Sequence, residues 1–75
     1  MKATRKKVLP PIVFELGKRI ENIIRLKGYK QREIAYEAGL DVENLRKYIK
    51  GRQEMKISTL QKIAKALDVE MVDLL

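Results

Sequence analysis

The apolar positions of this chain fall into short blocks that repeat every three and four residues, with small turn-forming residues between the blocks. In the first block Val13, Leu16, Ile20, Ile23, Ile24 and the aliphatic stem of Lys27 recur at helical spacing, which predicts a helix from Ile12 to Lys27 burying one stripe. Gly28 stops it, because glycine takes up the left-handed conformation of a helix C-terminus without a Cβ clash. A second helix is predicted from Gln31 to Ala38, with Ile34, Ala35 and Ala38 turned inward and Gly39 at its end. A third runs from Val42 to Lys50, capped by the Asp41 carboxylate, lined inside by Leu45, Tyr48 and Ile49, and closed by Gly51. Ile57, Leu60, Ile63, Ala64 and Leu67 define a fourth helix from Ile57 to Leu67, and a last short one covers Met71 to Leu74. Tyr29 is expected in the core and Tyr36 on the outer side of the second helix.

The join between the second and third helices is the most informative part of the pattern. So tight a turn forces a steep crossing, and close crossing needs small side chains where the helices touch. Ala35 and Gly39 supply them, and Gly39 also admits the positive φ of the turn. A small residue, a turn glycine, a cap and then the buried Leu45 make a tight helix-turn-helix.

Composition narrows the field. The chain has 75 residues, 45% of them apolar and very few aromatic, which suits one small helical domain. It has no Cys and no His, so a disulfide framework and an ordinary zinc site are excluded and no metal or other cofactor is expected. Ser58 is the only serine, and no catalytic grouping or glycine-rich phosphate loop occurs, so an enzyme is not expected. No segment reads as a signal peptide or a membrane span, and the expected setting is the cytoplasm. The net charge is +7, of which Lys2, Arg5, Lys6 and Lys7 carry four units. Residues 1–11 therefore read as a basic, flexible arm, separated by Pro10 and Pro11 from a domain over residues 12–75. The body alone is mildly basic, which favours polyanions.

From Leu16 to Leu75 the chain resembles the lambda-repressor-like domains of the phage repressor and Cro class, the xenobiotic-response-element family. The resemblance is carried by Lys27-Gly28, Gln31, Ile34-Ala35, Gly39, Leu45, Gly51, Leu60 and the run Ile63-Ala64-Lys65-Ala66-Leu67 at their joint spacing. It implies an all-α, compact five-helix bundle whose third helix lies in the major groove of duplex DNA, while the start of the second meets the phosphate backbone. Two departures stand out. Lys30 and Lys56 occupy positions where the family commonly has a Ser or similar cap, and Ile24 and Ile49 stand where it often has a paired Arg and Glu. Replacing both partners of a buried ion pair by apolar residues is often neutral or stabilising, so Ile24 is expected to contact Ile49.

The residues themselves point to the same face. At about 100° per residue the inner stripe of the third helix leaves Glu43, Lys47 and Lys50 centred outward, with Asn44 and Arg46 beside them. Base pairs present distinct donor and acceptor patterns in the major groove, so Lys47 suits guanine O6 and N7, Asn44 suits adenine, and Glu43 suits the cytosine amino group. Val42 lies at the stripe's border and either meets a thymine methyl or is partly buried. Lys30, Gln31, Arg46, Lys50 and Arg52 are the expected phosphate contacts. Lys30 and the first amides of the second helix form either an anion seat or, with Glu33 one turn on, a neutralised pair.

The expected function is therefore a sequence-specific double-stranded DNA-binding transcriptional regulator of the repressor kind, acting as a homodimer. The alternative is a protein-interaction module of the same fold, antitoxin-like or coactivator-like, with a protein partner and little DNA binding of its own.

Overall fold

The computed structural model describes residues 9–75, so the basic cluster at Lys2, Arg5, Lys6 and Lys7 lies outside the described residues. Four α-helices, α1 (Pro11–Leu26), α2 (Gln31–Glu37), α3 (Val42–Ile49) and α4 (Ile57–Leu67), are followed by a 3-10 turn at Met71–Leu74. No strand occurs among the described residues. The all-helical fold follows the apolar spacing, with one difference in kind: the fifth element is a single 3-10 turn, not an α-helix. Four residues cannot complete enough i to i+4 bonds to hold an α-helix, and the tighter form suffices to seat Leu74 in the core.

Pro11 opens α1, where the missing N–H costs nothing, and the helix ends at Leu26 with Lys27 as its cap. Each of the first three helices has a glycine at positive φ one residue beyond its C-terminal cap. At the turn between α2 and α3, Gly39 N donates to Tyr36 O at 3.1 Å and Leu40 N to Ala35 O at 2.8 Å, so that the chain reverses within a few residues. Helix α4 ends without glycine: its cap, Asp68, itself takes the left-handed conformation at φ 60°.

One apolar cluster joins the elements. Ile20 and Ile24 of α1, Ile34 and Ala35 of α2, Leu45, Tyr48 and Ile49 of α3, Leu60, Ile63 and Leu67 of α4, and Leu74 are all buried in it. Ile24 and Ile49, which replace the charged pair, are both members, and the described residues bury no charged or polar side chain. Lys27 contributes differently from its expected role as a stripe residue. It is exposed, and its Nζ reaches across to the Leu67 carbonyl at 2.9 Å and the Asp68 carbonyl at 3.3 Å, capping the C-terminus of α4.

Two core expectations fail. Tyr29 is 37% exposed, because the chain leaving Gly28 runs along the surface towards α2. Ile57 is 73% exposed, because as the first residue of α4 it precedes the turn at which the helix meets the bundle. Tyr36, expected outside, is 82% exposed.

Candidate nucleic-acid interface

Helix α3 is aimed by how α1 and α2 hold it. Gly17 is buried in α1 where that helix crosses the end of α3, and a Cβ there would lie 2.4 Å from the Tyr48 carbonyl oxygen and 2.5 Å from that of Ile49. Only a bare backbone lets the two helices approach so closely. At the other end the Asp41 carboxylate accepts from Glu43 N at 3.3 Å, fixing where α3 begins.

With Leu45, Tyr48 and Ile49 buried, Glu43, Asn44, Arg46, Lys47 and Lys50 face solvent along the opposite side. Val42 is half-buried and packs against the core, so both readings offered for it remain compatible with its position at the border. The residues of the face are not independent. Arg46 Nη1 donates to Glu43 Oε2 at 2.9 Å, and Arg46 Nε donates to Gln31 Oε1 at 3.4 Å. Gln31 is the first residue of α2, so this network ties the start of α2 to the outer face of α3.

Beside the network runs a groove of about 410 Å³, where Lys18, Arg46, Lys50 and Arg52 line one concavity with Gln31, over an apolar wall of Phe14 and Ile49. Lys18 lies 5.5 Å from the centre of the Phe14 ring, a cation–π distance. The groove's acid, Glu21, faces Arg25 at 3.8 Å. Lys18 and Phe14 are missing from the sequence-based site, because they come from the first helix. Their one sequence signal is Gly17, an interior helical glycine in the middle of an apolar stripe.

At the start of α2, Lys30 N donates to Glu33 Oε1 at 3.0 Å. This is half of a capping box; the ammonium of Lys30 has no acceptor with which to complete the other half. Lys30 itself is exposed, as is Arg52 beyond the end of α3. A larger concavity of about 660 Å³ lies where α2 meets Ala66 of α4, lined by Tyr29, Arg32 and Tyr36. Among the described residues there is no cluster of three or more His, Cys, Asp or Glu that would hold a metal ion, and no helix is long and apolar enough to cross a membrane.

Comparison with solved structures finds the same arrangement of helices in other proteins. The restriction-modification controller protein C.AhdI from Aeromonas hydrophila superposes with a TM-score of 0.85 at 26% identity, covering 88% of this chain and 100% of that one. NHTF from Neisseria, described as a hypothetical transcription factor, gives a TM-score of 0.79 at 28% identity over 99% of this chain and 88% of its own. The controller protein C.Esp1396I, crystallised as a tetramer with its natural 35 base-pair operator, shares the fold with a TM-score of 0.82 at 24% identity, over 88% of this chain and 87% of that one. No curated protein gives a match. The Helix-turn-helix family matches residues 20–74, most of the chain, from the middle of α1 through the final turn. The chain belongs to the helix-turn-helix family.

Proposed function

We propose that this protein is a sequence-specific double-stranded DNA-binding transcriptional regulator, acting as a repressor and as a homodimer, with α3 lying in the major groove. The observation that carries this reading is the outer face of α3. Its polar side chains stand over a groove lined by Lys18, Arg46, Lys50 and Arg52, while its inner face is fully committed to the core. A face without apolar anchors, edged by cations, suits a polyanion with hydrogen-bonding edges better than a protein surface. Val42, Glu43, Asn44 and Lys47 are the base-reading residues in this reading, and Lys30, Gln31, Arg46, Lys50 and Arg52 contact phosphates. The likeness to C.AhdI, a restriction-modification controller, supports a regulatory role. The operator complex of C.Esp1396I supports the compatibility of this fold with duplex DNA.

Selection from a random duplex library, followed by gel shifts at several salt concentrations, tests it. An enriched palindromic site whose affinity falls with salt is the expected result. Failure to bind any duplex at about 50 mM salt would remove the reading, since electrostatic attraction is strongest there.

A further inference from the structure

We propose that Glu43 sets the selectivity of α3 by acting as a releasable partner for Arg46. It keeps the guanidinium paired on duplexes that offer no amino group to its carboxylate, and yields it to the phosphate backbone at a site that does. The assignment rests on reading α3 as the major-groove helix.

In the free protein Arg46 is held from two sides, by Glu43 Oε2 at 2.9 Å and by Gln31 Oε1 at 3.4 Å. The side chains of Arg46 and Glu43 are 44% and 67% exposed, so the pair sits at the solvent surface, open to an exchange of partners, while nearby phosphates repel an unpaired carboxylate and favour the closed pair until a base takes the carboxylate. Glu43 lies in the first turn of α3 between Val42 and Asn44, the stretch turned towards base edges. A carboxylate carried into the major groove loses water and faces phosphates of its own sign. Among major-groove groups only the amino groups of cytosine and adenine donate to it. Where the duplex presents one, Glu43 exchanges its guanidinium partner for the base, and Arg46 is left with Gln31 at the start of α2.

The charge consequence differs between sites. While paired, Glu43 and Arg46 cancel, and Arg46 displaces no counterion from the duplex. Once released, Arg46 adds one phosphate contact, so matching DNA receives a cation that other DNA does not. The carboxylate, which looks misplaced on a DNA-binding face, becomes the element that withholds affinity from the wrong sequence.

The test uses the full chain as wild type, Glu43→Gln, Arg46→Ala and the double variant. Each is titrated by fluorescence anisotropy, from about 50 to 200 mM salt, against a mixed-sequence duplex and a duplex enriched by selection. Both side chains are exposed, and unchanged thermal midpoints by circular dichroism accompany the binding data. Glu43→Gln is expected to bind the mixed duplex more tightly, with the slope of log K against log salt steeper by about 0.9. The same change made in the Arg46→Ala background is expected to leave the slope where it was. The ratio of matched to mixed affinity should fall about tenfold in Glu43→Gln, the scale of one lost base contact. An unchanged slope and ratio would overturn the proposal, as would an equal slope change in both backgrounds, which would mark simple removal of a negative charge. Wild-type protein that binds no duplex at low salt would instead overturn the reading of α3 and the assignment with it.

Discussion

Gly17 and Lys27 show how much of the fold depends on single residues. The carbonyls of Tyr48 and Ile49 stand where a Cβ on Gly17 would go, and neither backbone group can move without shifting the end of α3. Gly17→Ala is therefore expected to destabilise the fold by about 3 kcal/mol, the upper range for overpacking, despite alanine's better helix propensity. Urea unfolding checks this, and a stability equal to wild type would mean that α1 and α3 do not pack this closely. Lys27 ties the C-terminus of α1 to the last carbonyls of α4. Lys27→Met keeps the stem and removes the donor, and should lower stability by about 1 kcal/mol with little change in the dependence on denaturant. Lys27 reaches the end of α4 and not α3, so in folded protein Lys27→Met should leave the preferred DNA sequence unaltered.

At the scale of elements, the chain's own punctuation made the fold legible. Gly28, Gly39 and Gly51 each sit at positive φ one residue beyond a helix cap, and the spacing of apolar residues between them settles which face is buried. What the pattern did not supply was the groove formed where α1 lies across α3. The groove residues Phe14 and Lys18 belong to the site only because Gly17 lets α1 settle onto α3. Glu43 and Arg46 are three apart on one helix, a spacing visible in the sequence, but their link to Gln31 depends on the crossing angle at the turn. Tyr29 and Ile57 were misread because both lie at helix boundaries, where periodicity loses its meaning.

The same scale explains the odd choice of Lys30 as a cap. It accepts no hydrogen bond, and its charge opposes the dipole of α2, yet Glu33 already supplies the reciprocal half of a capping box. Lys30→Ser completes that box and should raise stability by about 0.5 to 1 kcal/mol. If the lysine is kept for a phosphate, the same variant should reduce the salt slope of DNA binding by about 0.9. A stability gain with no change in slope would mean that Lys30 contacts no phosphate.

For the molecule as a whole, a single apolar cluster holds the described helices and the polar groups are left for the surface. On the proposed function, that division makes one chain a small reader. The stretch proposed to read bases, Val42 to Lys47, is under two turns of helix, enough to meet only a few base pairs, which cannot mark a unique site among many competitors. Two chains on half-sites one helical turn apart double both the sequence read and the charge delivered. The phosphate-contacting cations assigned above, Lys30, Arg46, Lys50 and Arg52, would give one chain a salt slope of about −3.6, and two chains about −7. Sedimentation of the protein with its selected duplex should therefore find two chains per site, together with the steeper slope. If Glu43 holds Arg46 back on unmatched DNA, the slope there falls to about −2.7 per bound chain, so selectivity itself should vary with salt. One chain per site with the shallow slope would leave recognition to a monomer, and the sequence it reads would then have to be short.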